Sequence, residues 1–239
     1  MSFTPTITRY WQTPFAHGEV LPGEGRFSLT INADLGEDRR VTVLTTSDGT
    51  VRAAVTPALA ERAGLATGTF SASSFRARLA ETGITVHDPD NLFYFPESEH
   101  AALQREAAAD GVRRLTASDG AAFAAFEAAA PEADRDDAFV ELDHWAVVGA
   151  FAAGRLVSAA SAYPWRDAPV ADIGVLTVPD SRGRGHARAV VRALSAYALG
   201  EGYEPQYRCQ LDNVASAATA RRAGLTLFGT WEVVSPDSA

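Results

Sequence analysis

Residues 175–187, VLTVPDSRGRGHA, decide how the second half of this 239-residue chain folds. An apolar run ends at Val178 and Pro179, a short turn rich in glycine and arginine follows, and a helical pattern then begins. Its apolar residues recur at the spacing of one helix face, namely at Ala187, Val190, Val191, Leu194 and Ala198. The stretch therefore predicts a strand, a tight turn and an amphipathic helix in succession.

The turn itself has the features of an anion-binding site. Gly183 and Gly185 let the backbone approach a ligand, and the N-terminus of the following helix adds a positive partial charge. Arg182, Arg184 and Arg188 add full charges around it. A tight turn with an exposed basic face is the alternative, but three arginines at a strand-to-helix transition favour phosphate. A dinucleotide-binding fold is excluded, because Arg188 stands where its motif needs glycine or alanine.

Composition excludes several classes of function. All 21 basic residues are arginine, so the chain has no lysine for a phosphate-binding loop of the Walker type or for a Schiff base. A single cysteine, Cys209, excludes an intrachain disulfide and a multi-cysteine metal site. The net charge of −9 argues against DNA, RNA or an anionic membrane as partner. With neither a signal pattern nor an apolar run of about 20 residues, we expect a soluble, cytoplasmic protein.

The first half predicts a small domain of mixed helices and strands. Residues 1–25 contain three prolines and three glycines without a sustained period, so we expect an extended arm. A hairpin signal lies at Ser47-Asp48-Gly49. The predicted strands are 27–31, 41–45, 51–55 and 92–95, and the predicted helices are 57–63 and 74–81. Residues 97–114 are polar and alanine-rich and predict a linking helix.

The second half is more regular. A helix is expected from Ser118 to Pro131, followed by the acidic residues 132–143, which we interpret as a solvated loop. Short connections between three strand-like runs predict an antiparallel meander. The predicted strands are 145–151, 156–163, 170–178 and 207–211, a helix follows from residue 213, and closing strands span 225–234. We expect one domain over residues 1–105 and a second over 112–239.

The second half resembles the GCN5-related N-acetyltransferase (GNAT) family. The acyl-CoA loop of that family has the form Arg/Gln-x-x-Gly-x-Gly/Ala, and residues 182–187, RGRGHA, fit every fixed place. The segment from Asn213 to Gly224 is similar to the family's next helix, and the resemblance covers about residues 112–235. It implies an α/β fold in the broad sense, in which helices pack on a mixed sheet (α+β). For the first half, a degenerate second copy of that fold is one interpretation.

The resemblance implies acyl-CoA-dependent transfer to an amine, with acetyl-CoA as co-substrate and no metal. The pyrophosphate would sit on the amides of residues 182–187, and the pantetheine arm would lie between the strands 170–178 and 207–211. An amide near Val178 would polarise the thioester carbonyl. Asn213 would hold the cofactor or, alternatively, only cap its helix. The implied cofactor-binding residues are Leu176, Thr177, Val178, Arg182, Gly183, Arg184, Gly185, His186, Ala187, Asn213 and Ser216.

A general base is expected among the acidic residues. Family members place a carboxylate on the strand before the loop, and Asp172 falls there. The alternative for Asp172 is an ion pair with a nearby arginine such as Arg166. Glu141, Asp143 and His144 are the other base candidates, and we retain Glu141 beside Asp172 as a candidate catalytic residue.

The general acid departs from the family pattern. The family's usual acid is a tyrosine four residues before the helix-ending glycine, and this chain has Ala220 there. Tyr207, Tyr163 or water could substitute, and Tyr207 is the candidate we retain.

We therefore expect an N-acetyltransferase that acts on a primary amine, either a small molecule or a peptide. The acidic run 132–143 predicts an acceptor with net positive charge. A homodimer is compatible with the sequence. The alternative, which Ala220 favours, is a catalytically silent acyl-CoA-binding sensor or scaffold.

Overall fold

The structure is a computed structural model that describes residues 2–166, 168–236 and 238. It is a mixed α/β protein, as the sequence predicts. The helices are α1 (Pro5–Ala16), α2 (Pro57–Arg62), α3 (Ala72–Glu81), α4 (Glu97–Arg105), α5 (Gly120–Ala128), α6 (Glu132–Ala138), α7 (His186–Gly200) and α8 (Val214–Ala223). The strands are β1 (Glu19–Pro22), β2 (Phe27–Ile31), β3 (Val41–Thr46), β4 (Val51–Val55), β5 (Asp90–Tyr94), β6 (Val112–Arg114), β7 (Ala146–Ala152), β8 (Arg155–Pro164), β9 (Val170–Thr177), β10 (Glu204–Gln210) and β11 (Thr226–Val233).

The chain forms two compact units, each built from more than one stretch of sequence. Unit 1 consists of residues 1–7, 93–208 and 213–226. Unit 2 consists of residues 8–92, 209–212 and 227–239. The predicted site residues all belong to unit 1.

Unit 1 is built on the strand order β10-β9-β8-β7-β6, with residues 93–94 of β5 beside β10. The strands β6 to β9 pair antiparallel, so the predicted meander is confirmed. The pairing of β9 with β10 is parallel, because α7 connects the two strands. This order places the end of β9, the turn after it and the start of α7 at one end of the sheet.

Helices cover both faces of this sheet. The predicted stripe of α7 is buried at Val190, Val191, Leu194 and Ala198, and α7 packs on β7, β8 and β9. On the other face, Phe123 and Phe126 of α5 join a core cluster with Val157 and Leu176. Burial of large apolar side chains on both faces fixes the sheet between its helices.

Unit 2 has the strand order β1-β2-β4-β3-β11. The predicted hairpin is confirmed as the antiparallel pair β3 and β4, and β2 pairs parallel with β4. The helices α2 and α3 bury Leu59, Phe75 and Leu79 in the same core cluster as the strands.

Four predictions about local structure are wrong. Residues 1–25 contain α1 rather than only an extended arm: Ile7 and Trp11 are one helical turn apart and both buried, and Pro5 opens the helix, where its missing N–H costs nothing. The linking helix predicted over 97–114 ends at Arg105. Residues 112–114 instead form the edge strand β6, which pairs with β7. The closing strands predicted over 225–234 are one strand, β11.

The fourth error concerns the region before β7. The helix predicted from Ser118 begins at Gly120, because residues 117–119 form a 3-10 turn in which the carboxylate of Asp119 accepts from the amide of Thr116. The acidic residues do not form a loop throughout. They begin as α6, whose first turn carries Glu132 and Asp134, where negative charge complements the helix dipole.

The end of α6 lies against β9 at Gly174. A Cβ at Gly174 would be 2.1 Å from the carbonyl oxygen of Ala138 and 3.1 Å from that of Phe139. Only glycine leaves room for this approach, so position 174 determines where the segment after α6 lies.

We expect Gly174→Ala to lower the free energy of unfolding by about 1–3 kcal/mol, because the added methyl group overlaps backbone that cannot rotate away. Urea unfolding followed by circular dichroism measures this. The matched control is Gly120→Ala, where φ is −51° and no heavy atom lies within 4 Å of the added Cβ. That substitution should stabilise by about 0.4–1 kcal/mol. Equal effects at the two positions would contradict the close approach of α6.

Candidate functional site

The turn between β9 and α7 depends on two glycines. After Val178 the chain makes a 3-10 turn over Pro179–Ser181, and α7 begins at His186. Gly183 has φ +75° and Gly185 has φ +85°, both in the left-handed region. A residue with a side chain would strain either position by about 1–2 kcal/mol. The geometry of the turn therefore requires glycine at both positions.

The space beside the two glycines is open. A Cβ added at Gly183 or at Gly185 would have no heavy atom within 4 Å. The first amides of α7, a helix of fifteen residues, have no acceptor within the helix and follow the turn directly. Exposed amides at a helix N-terminus, with room beside the backbone, fit a phosphate group. His186 and Ala187 supply the first of these amides.

The three predicted arginines surround the turn. Arg182 donates from Nε to the carbonyl of Thr177 at 3.1 Å and from Nη2 to Asp134 Oδ2 at 2.6 Å. Arg188 donates from Nε to the carbonyl of Arg222 at 3.0 Å, whereas Arg184 is exposed. Two of the three guanidinium groups thus also hold neighbouring segments, α6 and the end of α8.

The pairing between β9 and β10 is short. It runs from Val170 with Glu204 to Ile173 with Tyr207 and covers four residue pairs. Within the part of the chain that the structure describes, residues 174–177 of β9 pair only with β8. These residues are the open edge of β9, and this edge leads directly into the glycine turn.

Alternation along the strand decides which amides face the open edge. The amide of Val178 donates to the carbonyl of Val157 on β8 at 3.1 Å. Because hydrogen-bonding groups alternate sides in an antiparallel pair, the amides of Val175 and Thr177 point away from β8. The side chains of Leu176 and Val178 lie in the core with α5. Of the residues predicted around Val178, Thr177 is therefore the one whose amide faces the open edge.

Three polar side chains, those of Asn213, Ser216 and Tyr207, link the start of α8 to β10. Asn213 is the helix N-cap, and its Oδ1 accepts from the amide of Ser216 at 2.9 Å. The hydroxyl of Ser216 is 2.8 Å from that of Tyr207, the last residue of β10 that pairs with β9. Ala220, one turn further along α8, is fully buried and has no hydroxyl. Tyr207 thus extends from the last β10 residue that pairs with β9, and its buried hydroxyl meets the start of α8.

Asp172 is a buried carboxylate with four partner atoms. Its side chain accepts from Gln206 Nε2 at 2.8 Å, from Arg208 Nη2 at 2.8 Å and Nε at 3.1 Å, and from the Tyr163 hydroxyl at 3.1 Å. Hydrogen bonds and the positive charge of Arg208 compensate for its removal from water. The ion pair offered as the alternative to catalysis is present, and its arginine is Arg208.

Tyr163 remains protonated because of its surroundings. Burial raises the pKa of Tyr163 to about 12, and the negative charge of Asp172 acts in the same direction. Its hydroxyl is a hydrogen-bond donor throughout the neutral range.

A second titratable pair lies before β7. The Nε2 of His144 is 3.5 Å from Glu141 Oε2, and its Nδ1 is 2.8 Å from Ser161 Oγ. The side chain of Glu141 is 51% exposed, whereas that of His144 is 10% exposed. Asp143 is exposed as well. Glu141 therefore has the accessible carboxylate that Asp172 lacks.

The family model of the GNAT acetyltransferases matches residues 102–225, just over half of the chain. The chain belongs to the GNAT acetyltransferase family. No curated protein matches it.

Solved structures similar to this GNAT protein share little of its sequence. A GNAT-family protein from Novosphingobium aromaticivorans is 18% identical, with a TM-score of 0.46 over 64% of this chain and 66% of the other. A GNAT acetyltransferase from Colwellia psychrerythraea is also 18% identical, with a TM-score of 0.47 over 67% of this chain and 60% of the other. An aminoglycoside N-acetyltransferase in complex with CoA is 21% identical, with a TM-score of 0.39 over 47% of this chain and 89% of the other. This chain thus spans less than two thirds of the first two structures.

The structure arranges the predicted residues of this GNAT protein in two sets. The turn residues and Thr177 lie at one end of the open edge, and on α8 Ser216 contacts both Asn213 and Tyr207 of β10. Asp172, Glu141 and His144 lie among the residues that precede the open edge on β9 or enter β7.

Sequence reasoning missed Ser161, Gln206 and Arg208. The available signal was the two-residue period, which places Ser161 with Tyr163 on one face of β8 and Gln206 with Arg208 on one face of β10. Strand register then brings Gln206 opposite Asp172.

Among the described residues of this GNAT protein, no helix is long and apolar enough to cross a membrane. Nor does the described part contain a group of three or more histidine, cysteine, aspartate or glutamate side chains that could hold a metal ion.

We expect Asp172→Asn to lower the free energy of unfolding by about 3 kcal/mol, because the Arg208 guanidinium, 21% exposed, would lose its charge-assisted hydrogen bonds to a buried carboxylate. Denaturant unfolding measures the loss. Asp143→Asn, at an exposed carboxylate, should change stability by less than about 0.5 kcal/mol. A loss at Asp172 no larger than at Asp143 would contradict a structural ion pair.

The raised pKa of Tyr163 predicts a pH dependence of folding. The unfolded chain loses the tyrosine proton near pH 10, while the folded chain keeps it to about 12, so this contribution is complete below pH 10 and is lost as the pH rises from 10 to 12. Tyr163→Phe should therefore lose less stability between pH 9 and pH 11 than the unsubstituted chain does. Denaturant unfolding at both values measures the difference. Parallel losses in the two proteins would contradict the shift.

Proposed function

We propose that this GNAT protein transfers an acyl group, most simply acetyl, from acyl-CoA to a primary amine. The observation that carries the proposal is the glycine turn at the start of α7, adjoining the open edge of β9. A phosphate-binding turn beside unpaired strand backbone provides for a ligand with a phosphate group at one end and an amide-containing arm. The proposal places this activity in the predicted second domain, residues 112–239, and gives no role to residues 1–105.

The chain would hold acyl-CoA mainly with its backbone. The amides of residues 182–187 would bind the pyrophosphate, with Arg184 adding charge. The open edge of β9 would pair with the pantetheine arm, and Asn213 and Ser216 would lie beside that arm. Because Gly183 and Gly185 carry no side chain, the space beside the turn would be open to the phosphates.

The transfer would use an amide, a base and an acid. The amide of Thr177 or Val175 on the open edge would stabilise the negative charge that develops on the carbonyl oxygen. We assign the base to Glu141, because the four donors to Asp172 occupy its oxygens. Asp172 becomes a positioning residue that holds Tyr163 and Arg208. Tyr207, which contacts Ser216, would return a proton to the departing thiolate.

A second candidate is a silent acyl-CoA sensor. Ala220 is buried where the family usually has its acid, which favours this alternative. Both candidates require CoA to bind at the turn, so they differ in turnover and not in affinity.

We expect Gly185→Val to lower CoA affinity at least tenfold, because a β-branched residue cannot adopt φ +85° without strain and its side chain would stand where the phosphate approaches. Titration calorimetry with CoA measures the affinity. The control is Gly200→Ala at the end of α7, where the added Cβ has no neighbour within 4 Å and affinity should not change.

Thiol release from acetyl-CoA with a panel of primary amines then separates the two candidates. Release of free thiol supports the transferase, and CoA binding without release supports the sensor. Unchanged CoA affinity in folded Gly185→Val would contradict the assignment of the turn in either case.

A further inference from the structure

Four aromatic rings contact one another beside the open edge of β9. We call Phe139, His144, Tyr163 and Trp165 the aromatic cluster. Ring centroids are 5.0 Å apart for Phe139 and His144, 5.7 Å for Phe139 and Tyr163, 5.1 Å for His144 and Tyr163, and 6.3 Å for Tyr163 and Trp165. These separations are those of interacting rings. The cluster combines residues from the end of α6, the approach to β7, β8 and the residue after β8.

Both the exposure and the backbone conformation of Phe139 are unfavourable for folding. It is 50% exposed, so half of a large apolar side chain remains in water. Its φ of 45° and ψ of 53° lie in the left-handed region, which a bulky residue other than glycine rarely adopts. A polar residue or glycine would suit folding better at this position, so the strained, exposed ring indicates a binding role.

Close packing fixes the position of Phe139 relative to the open edge. Its carbonyl oxygen and that of Ala138 lie over Gly174, as described above, and Gly174 is the first residue of the open edge. The ring therefore belongs to a segment that contacts β9 where its pairing with β10 has just ended. A substrate lying on the aromatic cluster would be next to this point.

Glu141 supplies an accessible negative charge to the cluster. Asp172 is neutralised by Arg208, whose guanidinium also lies 4.2 Å above the Trp165 ring. Among the ion pairs of the described residues, Glu141 pairs only with His144, a member of the cluster. A half-exposed carboxylate beside a cluster that includes the half-exposed Phe139 ring suits an ammonium group attached to an apolar body.

We propose that the acceptor is a primary amine on an aromatic body, which packs on Phe139 and Tyr163 while Glu141 binds its ammonium. This inference rests on the proposed function and adds the substrate class. The ammonium gives one proton to Glu141, and the nitrogen lone pair forms the C–N bond as the C–S bond breaks. A second proton leaves nitrogen and replaces the one that Tyr207 gives to the thiolate. The products are an amide, a free thiol and one proton, which Glu141 releases to water.

The test compares four matched compounds by titration calorimetry, with CoA present and with CoA absent. 2-Phenylethylamine has the ring and the ammonium, ethylamine lacks the ring, 2-phenylethanol lacks the charge, and phenylalanine adds a carboxylate. We expect 2-phenylethylamine to bind at least about tenfold more tightly than each of the others, a difference within the range of aromatic packing and a charge-assisted hydrogen bond together.

Variants assign the two contributions. Phe139→Ala and Phe139→Leu should weaken 2-phenylethylamine about tenfold and leave ethylamine unchanged, and Glu141→Gln should weaken both amines. The controls are Val20→Ala, another exposed apolar residue, and Glu201→Gln, another exposed carboxylate. Neither should change amine binding.

Amine binding and CoA turnover distinguish the two proposals. If the unsubstituted protein does not bind CoA but still prefers 2-phenylethylamine, the proposed function is overturned and the acceptor site is supported. If the protein acetylates amines without preferring those that carry a ring, the acceptor site alone is overturned. The same holds if the Phe139 and Glu141 variants bind amines as the control variants do. Failure of 2-phenylethylamine to bind with or without CoA also overturns the acceptor site.

Discussion

The site in unit 1 depends on the early end of the pairing between β9 and β10. Four residue pairs join the strands in parallel, and beyond Ile173 and Tyr207 the described residues of β9 pair with β8 alone. On the other side the carbonyl of Thr177 accepts from Arg182 Nε. Unpaired backbone polar groups are costly away from water, so such an edge persists where solvent or a ligand can satisfy it. The glycine turn and α7 follow this edge directly in the chain.

Burial of charge explains why Asp172 is surrounded by hydrogen-bond donors. A carboxylate that is 6% exposed on a central strand requires compensation, and Gln206, Arg208 and Tyr163 provide it. The same contacts leave Asp172 without a free lone pair directed at a substrate. Glu141, by contrast, has an exposed carboxylate, and the end of α6 that precedes it lies against Gly174.

Glycine is thus required in unit 1 for two different physical reasons. At Gly183 and Gly185 the backbone conformation demands it, while the surrounding space is open. At Gly174 the backbone is ordinary strand, and the close approach of the α6 carbonyls demands it. The first case leaves open space beside the turn, and the second lets the end of α6 approach the first residue of the open edge.

The sequence by itself determined the meander, the hairpin of unit 2, α7 and the glycine turn, because helical period, strand alternation and turn chemistry act between residues close in the chain. Local patterns also misled: prolines and glycines hid α1, and acidic composition hid α6. Only the tertiary structure decided that Arg208 pairs with Asp172, that Glu141 stays accessible, and that Phe139 joins residues of β8. The physical reason is that strand register and helix packing bring together residues far apart in sequence, and no local pattern specifies such partners.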